Sequence, residues 1–175
     1  MSIEKNNDIA KKYYLMAVEI DNNTNALHNL GYYYQTIERD YKKMEDYYLM
    51  AIEKGSISSM HNLGYFYQYI EKDYKKMEKY YLMAIENDNI KAMYRLGLYY
   101  QYIEKNYIKM EKYYLMAIEK GNMLAMNNLE YYYQHIVKDY KKMEKYYLIA
   151  KKDNSFVMCK LNIIYFINKF LGRFE

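Results

Sequence analysis

The sequence predicts an all-α protein, an α-solenoid of antiparallel helix pairs wound into a right-handed superhelix. Three observations predict it: near-identical strings recur every 33 residues, apolar residues inside them follow the 3.6-residue period of a helix, and the chain contains no proline. LHNLGYYYQ from Leu27 returns as MHNLGYFYQ from Met60, MYRLGLYYQ from Met93 and MNNLEYYYQ from Met126. YKKMEDYYLMAIEKG from Tyr41 alternates with them and returns, slightly altered, from Tyr74, Tyr107 and Tyr140. Each repeat therefore holds two elements.

Taken in order, the array opens with a half-unit over 8–22, whose YYLMAVEID from Tyr13 matches the second element. Repeats follow at 23–55, 56–88, 89–121 and 122–154, and a terminal half-unit helix at 155–171 matches the first element through MCKLNIIYF from Met158. In the second element Met77, Tyr81, Ala84 and Ile85 fall at i, i+4, i+7 and i+8, one apolar stripe, while Lys75, Lys76, Glu78 and Lys79 face elsewhere. Asp40, Asp73, Asn106 and Asp139 stand just before it, where a short polar side chain accepts from the unpaired first-turn amides. Gly55 and Gly121 follow it and suit the left-handed conformation that ends a helix; Asp88 and Asn154 hold the equivalent places less favourably. A single pair cannot bury its stripe alone, so neighbouring pairs must stack.

Composition bounds the rest. With 175 residues, 52% hydrophobic and 27% charged, the chain is one folding repeat domain, 1–175, with too much apolar material to be disordered. Its 28 Tyr and many Lys, Asn and Ile are written with AT-rich codons, so tyrosine abundance by itself names no function. A net charge of +4 neither demands nor excludes nucleic acid. The single Cys159 forms no internal disulfide, the N-terminal residues lack the pattern of a signal peptide, and no apolar stretch has membrane-spanning length, so an intracellular, cytoplasmic setting and no membrane are expected.

The leucine-glycine pair with Tyr three residues on, followed by the aromatic and Ala of the second helix, resembles the tetratricopeptide pattern. The junctions AIEKGSISSMHNLG from Ala51, AIENDNIKAMYRLG from Ala84 and AIEKGNMLAMNNLE from Ala117 resemble more closely its relative, the Sel-like repeat, over roughly residues 8 to 171. The turn inside each pair is shorter than that family's. Met44, Met77, Met110 and Met143 stand where the family has Ala, which implies bulkier packing and a more open superhelix. Glu130 replaces the close-approach glycine of Gly31, Gly64 and Gly97, which predicts local displacement in the fourth repeat.

The residues assemble no enzyme signature, and neither a metal nor a cofactor is expected. His28, His61 and His135 lack the Cys, Asp or Glu partners of a zinc site or a nucleophile relay, and all six glycines are isolated. The resemblance implies instead a non-enzymatic protein-protein interaction adaptor or scaffold, binding a peptide or protein partner in a concave groove lined by the first helices. The lining would be His28, Tyr32 and Gln35; His61, Tyr65 and Gln68; Tyr94, Leu98 and Gln101; and Asn127, Tyr131 and Gln134. Tyr offers wide contact at low entropy cost and Gln bonds an extended backbone, while the competing role for any one Tyr is packing between helices. Asn62, Lys91 and Arg95 match three positions of the carboxylate grip seen in some tetratricopeptide domains, but His28 and Tyr32 replace its other two residues. The alternative function is RNA binding by stacked tyrosines, against which most lysines sit on the second helices beside acidic residues. Finally, Phe156, Ile163, Ile164, Phe166, Ile167 and Phe170 make the last helix unusually apolar, suiting either a homo-oligomer contact or a simple hydrophobic cap.

Overall fold

The structure, a computed structural model, describes residues 3–139 with Lys141 and Lys142. The six residues of the association helix named above lie outside them, as do Met143 and Cys159. Among the described residues eight α-helices occur in order: α1 (Ile3–Asp21), α2 (Thr24–Tyr33), α3 (Tyr41–Glu53), α4 (Ile57–Tyr69), α5 (Tyr74–Ile85), α6 (Ile90–Tyr102), α7 (Tyr107–Glu119) and α8 (Met123–Tyr131). Short π-helical turns continue α2 over Tyr34–Glu38 and α8 over Tyr132–Val137. No strand occurs among the described residues. The chain divides after Ala92, within α6, into two compact units built on the same plan.

Helix starts repeat with the sequence period. Asp40 accepts from the Lys43 amide at 3.1 Å, Asp73 from Lys76 at 3.0 Å, Asn106 from Lys109 at 3.1 Å and Asp139 from Lys142 at 3.0 Å, so all four expected caps form. A second set caps the first helices: Asn23, Ser56, Asn89 and Asn122 accept from the amides of Ala26, Ser59, Ala92 and Ala125.

Helix ends repeat as well. Gly55 and Gly121 take φ of 82° and 85°, and Asn22 and Asp88 take 52° and 59° at the equivalent places. The amide after Gly55, Asp88 and Gly121 turns back to a carbonyl five residues earlier, Ser56 to Ala51 at 2.9 Å, Asn89 to Ala84 at 3.0 Å and Asn122 to Ala117 at 2.8 Å. Asp88 thus closes the helix as the glycines do, at the steric cost of its Cβ. Inside each pair, Arg39, Lys72, Lys105 and Lys138 form a further left-handed series between 56° and 58°.

The core takes three of the four residues of the predicted stripe, Met77, Tyr81 and Ala84, while Ile85 is half-buried. Met44, Tyr48 and Ala51, then Met77, Tyr81 and Ala84, then Met110, Tyr114 and Ala117 are fully buried, against Leu27, Leu30, Leu63 and Leu96 from the first helices. Each such Leu or Met side chain contributes about 1.5–3 kcal/mol by leaving water. The close-approach glycines serve one ring each: a Cβ on Gly64 would stand 2.5 Å from Cδ1 of Tyr81, and Gly31 and Gly97 bear the same relation to Tyr48 and Tyr114. Glu130 is the exception, and its counterpart Tyr147 lies outside the described residues. The π turn is no mark of that lost glycine, because it follows α2, which keeps Gly31, as well as α8.

Candidate functional site

The tyrosines divide into a structural and an exposed population. Tyr48, set over Gly31, donates its hydroxyl to Gln35 Oε1 at 2.8 Å and accepts from Asn62 Nδ2 of the next repeat at 3.1 Å. Tyr81 donates to Gln68 at 2.8 Å and Tyr114 to Gln101 at 2.5 Å, while Asn128 reaches Tyr114 at 3.3 Å. Burial raises the Tyr48 and Tyr114 hydroxyls well above the ordinary tyrosine range, so both stay protonated donors. A second bracket repeats beside the first. Tyr34 stacks on Tyr47 at 5.4 Å, Tyr67 on Tyr80 at 5.6 Å and Tyr100 on Tyr113 at 5.5 Å, with Lys43, Lys76 and Lys109 over the first ring of each pair. The Tyr67 hydroxyl also donates to the Glu45 carboxylate of the preceding repeat.

The glutamines of the expected groove therefore belong partly to the core. Gln68 and Gln101 are only 8% and 7% exposed, and their carbonyl oxygens are engaged by tyrosine hydroxyls. Gln35 and Gln134 are half-buried, as are Asn62 and Asn127. The aromatic positions differ: Tyr32, Tyr65 and Tyr131 are 54%, 37% and 57% exposed, and the Tyr65 ring tilts against exposed Tyr69 at 4.6 Å. In the second unit Tyr94 and Leu98 are half-buried, Tyr94 accepting from Asn128 at 3.4 Å, and Arg95 is half-buried.

In the first unit the structure gathers four expected residues, His28, His61, Asn62 and Lys91, around one open cleft of about 600 Å³. Ile57 and Ser58 of α4, the turn Asn87–Asn89 and Ile90 complete it. That volume lies within the range of small-ligand and peptide pockets. The turn residues were not among those expected to line the groove, although Asp88 was expected to end a helix; the signal for them was the cap series at Asn23, Ser56, Asn89 and Asn122, which marks where each first helix begins.

His28 Nδ1 meets Ser59 Oγ at 3.0 Å, which meets Ser56 Oγ at 2.9 Å. Ser59 is 0% exposed, so its hydroxyl lies out of a substrate's reach and the pair joins α2 to α4 rather than forming a nucleophile and base. Burial lowers the His28 pKa, holding the imidazole neutral. Among the described residues no group of three His, Cys, Asp or Glu is placed to hold a metal ion, and no helix is long and apolar enough to cross a membrane.

Compared with known proteins, residues 1–22, 24–56, 57–89 and 90–122 match the Sel1 repeat, the last three stretches each beginning on the residue after an N-cap. Among solved structures the chain is similar to a Sel1 repeat protein from Oxalobacter formigenes, with 24% identity and a TM-score of 0.62 over 82% of this chain and 64% of that one. It thus spans less than two thirds of that protein's length. It is also similar to an immunity protein from Pseudomonas aeruginosa, with 22% identity and a TM-score of 0.51 over 81% of this chain and 72% of that one. Likeness at these identities shows the shared fold. No curated protein sequence matches the chain.

Proposed function

The chain belongs to the Sel1 repeat family, and from that footing we propose that it is a non-enzymatic adaptor holding a protein or peptide partner on the face of its first helices. Proteins of this family generally mediate protein-protein interactions, and their fold is typically a scaffold without catalysis. The observation that carries the reading for this chain is the division of its tyrosines. Those at the Tyr48, Tyr81 and Tyr114 positions are consumed in holding the repeats together, whereas Tyr32, Tyr65 and Tyr131 recur on the first helices with their rings open to solvent. Exposed aromatic side chains at the equivalent position of three repeats, with Leu98 in the remaining one, give a partner large contact area for little ordering entropy. The cleft beside His28 and His61 adds a polar recess in the first unit.

The test is capture from a lysate of the native host with the full chain as bait, with nuclease treatment and a salt series, then mass spectrometry. The proposal expects a stoichiometric protein retained after nuclease. Nucleic acid that is recovered instead and lost with rising salt would overturn it in favour of the RNA-binding alternative.

A further inference from the structure

The helix α1, a second element by its sequence, carries an outward stripe that α3, α5 and α7 lack. Ile9, Tyr13, Met16 and Ile20 fall at i, i+4, i+7 and i+11, within about 60° of one another around the helix. All four are exposed, Tyr13 to 64% and Ile20 to 80%. Aligned on YYLMA, Ile9 stands where α3, α5 and α7 carry Lys43, Lys76 and Lys109, and Ile20 stands where Lys54, Asn87 and Lys120 follow those helices. Tyr13 corresponds to Tyr47, Tyr80 and Tyr113, which stack on Tyr34, Tyr67 and Tyr100. The repeat plan thus puts a charge or an amide at both ends of this stripe, and α1 makes it apolar from end to end. Such a stripe gains by leaving water against a partner.

The stripe reads the same in both directions. In an antiparallel pair of α1 helices, Ile9 falls opposite the second copy's Ile20 and Tyr13 opposite the second copy's Met16, a favourable contact of ring and thioether, and the two-fold axis repeats both pairs. Lys12 and Glu19, both exposed and seven residues apart, lie on one flank of the stripe. Antiparallel packing sets that flank against its own copy and brings Lys12 within about 3 Å, measured along the axis, of the level of the second copy's Glu19. Opposite charges therefore meet twice in each pair. A parallel pair would set the same flank against Ala10 and Ala17, where neither charge meets its opposite. Lys5 shares the flank but falls opposite position 24, past the end of the second copy's α1, and Asp8 and Asp21 lie about 110° round the helix from the middle of the stripe, on opposite sides.

The half-unit 155–171, which matches a first helix in sequence, suits this seat less well. Asn162 stands where Gly31, Gly64 and Gly97 admit the tyrosine ring that corresponds to Tyr14, and a Cβ at those glycines would stand 2.3 to 2.5 Å from the ring. We propose that α1 is the contact of a homodimer, packed antiparallel across a two-fold axis against α1 of a second copy.

The experiment measures the mass of the full chain by size-exclusion chromatography with light scattering, in a concentration series up to about 1 mM. We expect a mass that rises to twice that of the chain and no further, since a two-fold contact closes on itself. Ile9→Lys combined with Ile20→Lys returns both positions to the residue type found beside α3 and α7, and should keep the helical circular dichroism while leaving the chain monomeric throughout. Lys12→Glu and Glu19→Lys each set like charges across the axis and should weaken the dimer about tenfold, whereas the two together should restore it. That charge swap tests the pairing with every apolar residue intact. A parent chain that is monomeric at every concentration, or one that grows beyond two copies, would overturn the proposal. A dimer indifferent to the isoleucine substitutions would overturn it too, as would one that the combined swap weakens as much as either single change.

Discussion

Tyr81 shows how much of the molecule rests on one residue type. Its ring fills the space left by the missing Cβ of Gly64, and its hydroxyl is spent on Gln68. Gly64→Ala should destabilise the chain by about 1–3 kcal/mol in denaturant melts, because the added methyl meets a packed ring that cannot swing away. Tyr48→Phe should cost about 1–3 kcal/mol by the same measurement, since Gln35 loses its donor and Asn62 its acceptor. His28 supplies a pH dependence. Its folded pKa lies below the unfolded value, so its contribution is complete above about pH 6.5 and is lost as pH falls toward the folded pKa. The fall in melting temperature between pH 7.5 and 5.5 should therefore be smaller in His28→Gln than in the parent; an equal fall would remove His28 as the cause. The sequence showed the glutamines as a ladder and left their neighbours hidden. A Gln every 33 residues has the same pattern whether it faces water or a tyrosine, and only the constant offset of 13 residues to Tyr48, Tyr81 and Tyr114 carries the pairing.

Helix boundaries were the most legible feature at the scale of elements. Four aspartate or asparagine caps could be placed in advance because the side chain that caps a helix must immediately precede it. The caps at Asn23, Ser56, Asn89 and Asn122 obey the same rule but vary between Asn and Ser and sit among other polar residues, so their register emerged only with the backbone. Asp88 marks a place where the chain tolerates steric cost: with φ of 59° it does the work of Gly55 and Gly121. Asp88→Gly should stabilise by up to about 1 kcal/mol, partly offset by the freer unfolded chain, whereas Gly55→Ala should destabilise by a similar amount although nothing lies within 4 Å of the new methyl. Paired denaturant melts of the two variants give the sign of each change. The π turns after α2 and α8 had no visible signal, since α4 and α6 have nearly the same sequence and remain α-helical.

For the molecule as a whole, the repeat period specified the architecture because one amphipathic pair cannot fold alone and thirty-three residues suffice for two helices and two turns. Function was less legible, because the side chains that bind and those that pack are drawn from the same tyrosines, and burial alone separates them. The exposed rings on the first helices are the surface that this separation leaves for a partner. Hydrogen exchange on the full chain, alone and with the captured partner, tests that division most directly. New protection confined to residues 24–33 and 57–69, abolished together with partner binding in the Tyr32→Ala, Tyr65→Ala double variant, is the predicted result. Protection that falls instead on the second helices, over 41–53 and 74–85, with the double variant binding as well as the parent, would contradict the account.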